Sequence, residues 1–458
     1  MDNLWKNIRI RVVKLINVIT ITGCFTLVWM IFYSDRLYSS GFYEKGNWLV
    51  AGLFFLLYFF FGRIYDAFLI SYHRITEIVY SQTLAFLISD AVLYIVTWLL
   101  MRRLPELWPL LLMAGAQFAV SMLWSVLSHV WYFRRFRPRK TLIVYDMREG
   151  MENLIGEYGL DKKFEIGQIL RTEEVIGDGM AILDGYEVVF LCGVHSRERN
   201  VILKYCVEKR ITLFVIPRVG DVLMTGAKRM HMLHLPVLRV DRCQPVPEYV
   251  FLKRLTDIAF SALLLILASP LMIVVAVIIR MDGGPALYRQ LRLTKDGREF
   301  MLMKFRSMRV DAERDGVARL STGKQDDRIT KIGRVIRACR IDELPQLINI
   351  LKGDMSIVGP RPERPQIAEE YEKEMPEFHL RLQVKAGLTG YAQVYGKYNT
   401  TPYDKLMMDL MYIAHPSLIE DLRIIFATVK ILFLPESTEG VEAGQTTAMR
   451  EIAANPEK

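Results

Sequence analysis

The sequence is poor in the residues that build disulfide frameworks and metal centres. Its 458 residues include five cysteines, Cys24, Cys192, Cys206, Cys243 and Cys339, with no C-x-x-C pair among them. That scatter suggests neither a disulfide scaffold nor a zinc site, and it fits a reducing compartment. Histidine is also scarce, at seven residues. His231 and His234 are spaced to share a helix face, but no third ligand lies near them, so they read as structural. Neither sign of charge dominates: 59 basic against 50 acidic residues leave a net charge of +9. This modest excess favours an anionic membrane surface or phosphorylated ligands over a dedicated nucleic-acid binder. With 52% hydrophobic and 24% charged residues, a disordered chain is excluded. A mean hydropathy of +0.20 is high for a soluble enzyme and low for a transporter. It suggests membrane segments attached to soluble domains, and the length leaves room for two to four of these.

Long apolar runs crowd the first third of the chain, at residues 12–33, 48–61, 83–101 and 107–133. About 20 mostly apolar residues cross a bilayer as a helix. Four transmembrane helices within residues 1–140 are therefore expected, although Arg63, Asp66 and Asp90 interrupt the pattern. No small-residue cleavage site follows the first run, so a signal peptide is not expected. Lys6, Arg9, Arg11 and Lys14 precede the first span, Arg63 and Arg74 lie in the second connection, and Arg134, Arg135, Arg137, Arg139 and Lys140 follow the fourth. The opposite loops hold only Arg36, Lys45, Arg102 and Arg103. By the positive-inside rule, the N-terminus and everything after Lys140 are cytoplasmic.

Residues 141–246 change character. Candidate strands at 141–145, 164–170, 187–192, 211–216 and 237–240 alternate with polar helical stretches such as 197–209, the pattern of a parallel α/β sheet. A dinucleotide fold would need a glycine-rich turn after the first strand, and here the chain reads Tyr145-Asp146-Met147-Arg148-Glu149-Gly150. The reading is a Rossmann-like domain without a dinucleotide fingerprint.

A fifth apolar run, 258–279, is preceded by Lys253, Arg254 and Asp257 and broken in the middle by Ser269-Pro270. Proline lacks an N–H and clashes with the carbonyl four residues back, so a break or sharp kink is expected. One reading is a fifth span with a tolerated kink. The other is a re-entrant helix, 253–280, that enters and returns, because cations flank both ends and Arg289, Arg292 and Lys295 follow. Past Pro435 the tail, 436–458, lacks an apolar period and reads as disordered.

Between Lys304 and Gly390 the chain is dense in short blocks: Lys304-Phe305-Arg306-Ser307-Met308, Asp342-Glu343-Leu344-Pro345-Gln346, Gly353-Asp354-Met355-Ser356, Val358-Gly359-Pro360-Arg361-Pro362-Glu363 and Gly387-Leu388-Thr389-Gly390. Adjacent carboxylates before Leu-Pro are commonly no more than the start of a helix. The surrounding arginines and lysines suit phosphate recognition by charge-assisted hydrogen bonds. Arg361, between two prolines, has little backbone freedom, which would aim its guanidinium or simply make a rigid turn.

With Lys253-Arg254-x-x-Asp257 and Ser269-Pro270 in front, this ordered set resembles the bacterial sugar transferases, the monotopic phosphoglycosyl transferases. The four spans and the Rossmann-like domain resemble the large subgroup that initiates exopolysaccharide, capsule or O-antigen synthesis. One departure is Ala386, where a proline commonly precedes Gly-x-Thr-Gly, which puts local loop rigidity in doubt.

The resemblance implies an α/β membrane protein of the bacterial inner membrane with a mostly helical, cytoplasmic catalytic domain at 247–435. It implies transfer of a sugar 1-phosphate from a UDP-sugar to a polyprenyl phosphate, with UMP released. Asp342 would be the nucleophile, forming an aspartyl phosphosugar, and Glu343 its partner, with Mg²⁺ at the pair. A carboxylate near its normal pKa of about 4 would attack without a separate base. Arg361, Lys304 and Arg306 are candidates for phosphate contacts, or for pairing with structural acids. Lys253, Arg254, Ser269 and Pro270 are candidates for meeting the lipid bilayer. A homodimer is a further expectation, and nucleic acid is not expected as a partner. Two other readings compete. A polytopic transferase would place its acids among spanning helices, and a non-catalytic scaffold of polysaccharide assembly would leave the acidic dyad unexplained.

Overall fold

The computed structural model describes residues 2–37, 44–309, 328–396 and 400–432, so the expected disordered tail at 436–458 lies outside the described residues. The chain forms two compact units, divided between Ile216 and Pro217. Residues 217–246, expected with the parallel sheet, group with the second unit.

The first unit opens with α1 (Asp2–Phe32), α2 (Glu44–Ile64), α3 (Ile75–Met101) and α4 (Trp108–Arg135). Each contains a stretch long and apolar enough to cross a membrane. Helix α1 packs on α2 and α4, and α3 packs on the same two. In hydrocarbon a polar side chain needs a partner inside the protein, and these helices supply one to each other. Tyr58 of α2 donates to Asn17 Oδ1 of α1, Asn17 donates to Gln82 Oε1 of α3, and Ser121 of α4 donates to the same Gln82 oxygen. Asp90, which interrupts the third run, is buried and accepts from Gln117 at 3.3 Å.

After α4 come β1 (Arg139–Tyr145), α5 (Met151–Glu157), β2 (Phe164–Arg171), α6 (Thr172–Gly177), β3 (Val188–Cys192), α7 (Ser196–Glu208) and β4 (Thr212–Val215). The strands form one sheet in the order β2-β1-β3-β4, every pair parallel. Both faces are covered, which is why β1 and β3 read as continuous apolar runs. Leu142, Val144, Val189 and Leu191 enter one core, and Ile143, Val188 and Cys192 the other.

The second unit begins with α8 (Val219–Thr225), β5 (Lys228–Met232) and β6 (Leu235–Arg239). The last two pair antiparallel across Leu233 and His234, both at positive φ, the geometry of a tight hairpin turn. This corrects two expectations. Residues 237–239 belong to a hairpin outside the parallel sheet, and His231 on a strand and His234 in its turn share no helix face.

Helix α9 (Pro247–Met281) is followed by β7 (Leu287–Leu293), β8 (Glu299–Phe305), α10 (Lys331–Ala338), α11 (Gln346–Lys352), β9 (Ser356–Val358), α12 (Pro365–Glu374), β10 (Gly387–Thr389), α13 (Tyr391–Tyr395), α14 (Pro402–Ala414) and α15 (Leu418–Leu432). Strands β7 and β8 form an antiparallel pair, and β9 and β10 a parallel one. The core gathers Phe300 and Leu302 of β8, Leu347 and Ile350 of α11, Leu406 and Leu410 of α14, and Ile424 of α15.

Of the break or sharp kink expected at Ser269-Pro270, the break is absent: α9 is helical from end to end, with Pro270 inside it. The carbonyl of Ile266, deprived by Pro270 of its usual donor, accepts a hydrogen bond from Ser269 Oγ at 2.8 Å. Its outer surface is apolar, with Phe251, Ile266, Leu267 and Ile273 exposed. Both ends of α9 dock on the same unit. Near its start, Lys253 reaches α15, Arg254 reaches α11, and Asp257 reaches β9. Near its end, Val275 and Ile279 pack with Phe305 and Ile336.

Candidate active site

Asp342 and Glu343 occupy a short 3-10 turn, Ile341–Glu343, that follows α10 and leads through Leu344-Pro345 into α11. Arg340, at φ +57, turns the chain so that both carboxylates point inward. Helix α11 is stitched to β8 by one side chain. Asn349 Oδ1 accepts from the Met303 amide at 3.0 Å, and its Nδ2 donates to the Met301 carbonyl at 2.9 Å. That stitch brings Lys304, the next residue of β8, up to the dyad. Lys304 Nζ lies 2.8 Å from Glu343 Oε1.

The third contributor is the Pro360-Arg361-Pro362 loop. Its neighbours Gly359 and Gly387 touch backbone to backbone: Gly359 N–H donates to the Thr389 carbonyl and Gly387 N–H to that of Pro360, both at 2.9 Å. A Cβ on either glycine would run into the facing backbone, which is the physical reason for glycine at both places. Arg292 and Arg381 hold the loop from outside through the carbonyls of Pro362 and Arg361. Arg361 is thereby aimed at Glu343, with Nη2 3.0 Å from the same Oε1. The expected rigidity defect at Ala386 is met by a hydrogen bond that proline could not make. The Ala386 amide donates to Thr294 Oγ1 at 3.2 Å, and Thr294 donates in turn to the Asp354 carbonyl.

The two carboxylates are electrostatically unlike. Burial would raise Glu343, but Lys304, Arg361 and Arg340 outweigh it and hold the carboxyl well below the usual range. Burial pushes Asp342 above the usual range, Glu343 adds to the rise, and Lys304, Arg337 and Arg340 pull it back. The Asp342 carboxyl is therefore not the ordinary carboxylate that the sequence alone suggests, because burial raises it. Its Oδ1 is buried without a hydrogen-bond partner among the described residues. Burial lowers Lys304, and Glu343 raises Arg361. Four cations thus face two carboxylates, an excess suited to a diphosphate.

The structure brings Asp342, Glu343, Lys304 and Arg361 together and sends the other candidates elsewhere. Arg306 is buried and donates to the Ile279 carbonyl at 3.0 Å, tying β8 to the end of α9. Lys253 and Arg254, expected at lipid headgroups, turn into the protein. Lys253 pairs with Asp421 at 2.9 Å, and Arg254 donates to the carbonyls of Ile350 and Leu351 at the end of α11. Ser269 and Pro270 lie mid-helix in α9. Arg337 and Arg340 were missed. Their only signal was spacing, three residues apart on the approach to Asp342.

The dyad fits a divalent cation of the Mg²⁺ type. Among the described residues no three His, Cys, Asp or Glu side chains cluster as a closed metal site. Mg²⁺, however, is commonly held by one or two carboxylates together with substrate phosphates and water, and the unpartnered Asp342 oxygen is of the type that could serve.

The family model described as bacterial sugar transferase matches residues 248–435. The chain is 35% identical over 305 residues to the UDP-N-acetylgalactosamine-undecaprenyl-phosphate N-acetylgalactosaminephosphotransferase of Aeromonas hydrophila, covering 65% of this chain and 68% of that protein. It is 41% identical over 191 residues to the UDP-glucose:undecaprenyl-phosphate glucose-1-phosphate transferase of Caulobacter vibrioides, covering 40% of this chain and 71% of that one. It is also 41% identical over 196 residues to the undecaprenyl-phosphate galactose phosphotransferase of Salmonella typhimurium, covering 40% of each.

Proposed function

From the premise that this chain belongs to the bacterial sugar transferase family and is a phosphoglycosyl transferase, we propose that it moves a sugar 1-phosphate from a UDP-sugar to undecaprenyl phosphate, releasing UMP at the inner leaflet. The observation that carries the reading is the Asp342 carboxylate, buried with one oxygen unpartnered beside a Glu343 held by Lys304 and Arg361.

In this reading an Asp342 oxygen attacks the β-phosphorus of the UDP-sugar. The bond from that phosphorus to the bridging oxygen breaks, UMP leaves with the electron pair, and an aspartyl phosphosugar forms. A phosphate oxygen of undecaprenyl phosphate then attacks the same phosphorus, restoring the carboxylate and giving the diphosphate-linked sugar. No general base is required, because neither attacking oxygen carries a proton once ionised. The raised pKa of Asp342 makes it a stronger nucleophile than an ordinary carboxylate. Lys304, Arg361, Arg337 and Arg340 offset the repulsion between that carboxylate and the diphosphate. Glu343 holds Lys304 and Arg361 in place, and with Asp342 it would hold Mg²⁺. Bound there, the metal would neutralise charge on the transferring phosphoryl group.

The catalytic part in this reading is residues 247–435, on the cytoplasmic side, following spans within 1–140 and a Rossmann-like region within 141–246. Helix α9 enters the membrane and returns. Its two ends, Lys253 to Asp257 and Val275 to Ile279, dock on the same unit, which supports a return better than a crossing.

Enzyme mixed with a radiolabelled UDP-sugar and no lipid acceptor should release about one equivalent of UMP. The labelled sugar phosphate should stay on the protein and be removed by hydroxylamine. Adduct formation by Asp342→Asn would place the nucleophile elsewhere. The transferred sugar is read from a panel of UDP-sugars, since relatives 41% identical are named for glucose and for galactose.

A further inference from the structure

Beyond the transferase site, the first unit carries a group of cations whose placement calls for an anion. Lys6 stands at the start of α1, Arg139 at the start of β1, and Lys163 at the entry to β2. All three are half-buried. They are joined locally: the Arg139 amide donates to the Lys163 carbonyl at 2.9 Å, and Lys6 Nζ lies 4.7 Å from the centre of the Phe136 ring, three residues before Arg139. Lys163 Nζ also donates to Ser71 Oγ at 3.1 Å and lies over the Tyr72 ring, in the connection between α2 and α3.

Among the described residues no carboxylate comes within ion-pair distance of any of the three. Glu187 acts on Lys6 only from farther away. Half-buried lysines and arginines ordinarily reach water or an acid. Here aromatic rings and a hydroxyl surround them, and the cations repel one another. Burial, followed by Arg139 and Lys6, pulls Lys163 down to about 7. The position of the group indicates the anion. Trp5, exposed beside Lys6, opens a membrane helix, while Arg135, just before Phe136, closes another. The cluster therefore lies level with the end of the apolar layer, where lipid phosphates lie.

We propose that Lys6, Arg139 and Lys163 form a binding site for the phosphate of an anionic phospholipid at the membrane interface. The Tyr72 and Phe136 rings line the site. It is independent of the transferase reading, because no residue of the second unit takes part.

The test uses the full-length protein in detergent with added phosphatidylglycerol, phosphatidylcholine or inorganic phosphate. Native mass spectrometry should show phosphatidylglycerol retained by the wild type. Binding should fall roughly fivefold for each cation removed in Lys163→Gln and Arg139→Gln. Lys163→Arg, which keeps the charge, should retain the lipid and shows that loss in Lys163→Gln is not misfolding. In the wild type, the Lys163 ¹³C-methylamine signal should titrate at higher pH with phosphatidylglycerol than with phosphatidylcholine. Equal retention of both lipids, unchanged binding in the Gln variants, or an equal shift with inorganic phosphate would each overturn the proposal.

Discussion

Lys253 and Asp421, 168 residues apart in sequence, meet at 2.9 Å and fasten α9 to α15. Tyr249 and Tyr412 donate to the same carboxylate at 2.9 and 2.7 Å, so the pair is the centre of a buried network. Lys253→Met should lower stability by about 2 kcal/mol, between the limits for exposed and buried pairs. Asp421→Asn in the same chain should recover part of that loss. Thermal unfolding of the two single variants and the double variant checks this, and strictly additive effects would mean the pair is not coupled.

The dyad should respond to neutralisation with opposite signs. The Asp342 pKa is raised on folding, so its stabilising contribution is present at low pH and lost as pH rises through the raised value. Asp342→Asn should therefore stabilise the protein at neutral pH while cutting transfer roughly a thousandfold or more. Glu343 is lowered, so its contribution is present above its unfolded pKa and lost as pH falls through the folded one. Glu343→Gln should destabilise at neutral pH. Unfolding curves at neutral and acidic pH would show the two differences.

The same inequality shapes the rate. In the proposed mechanism attack requires ionised Asp342, so kcat/KM for UMP release should decline on the acid side with a midpoint above the ordinary value of 3.8. Arg340→Gln removes a cation that lowers Asp342 and should move this midpoint up. A midpoint that moved down would show that another group governs the limb.

Asn349 should matter to activity without touching substrate. Asn349→Leu leaves the Met303 amide and the Met301 carbonyl without their partner, at about 1–3 kcal/mol per buried group. Transfer should fall beyond the loss of folded protein, because Lys304 is then less firmly placed against Glu343. Activity per folded molecule is the readout.

The proposed return of α9 can be checked by labelling. In a chain free of its native cysteines, Val246→Cys and Met281→Cys lie at opposite ends of the helix and are both exposed. An impermeant maleimide should miss both in intact cells and reach both after permeabilisation. Labelling of one alone would mean that the helix crosses.

What was legible in the sequence was what depends on pattern. The four apolar runs became α1 to α4, and alternation of short runs gave the parallel strands, because burial on both faces leaves a continuous apolar signature. Asp342, Glu343 and Arg361 were singled out by dense charge between Gly and Pro residues, while the roles given to the two acids came from the family resemblance and not from the pattern. The direction of long side chains was not. Lys253, Arg254 and Arg306 look like membrane or phosphate contacts by composition, but each finds a carbonyl or carboxylate supplied by an element distant in sequence. The β5–β6 hairpin was hidden because Leu233 and His234 take up positive φ without the Asn-Gly signal that usually announces it.

The hydrogen bond from the Ala386 amide to Thr294 makes two positions 92 residues apart depend on each other. A proline at 386 would stiffen the loop covalently and remove the donor, leaving Thr294 Oγ1 only its bond to the Asp354 carbonyl. With alanine at 386, the loop is held instead by the side chain of Thr294, in the connection between β7 and β8. Thr294→Val should therefore cost the loop less rigidity in an Ala386→Pro chain than in the native one.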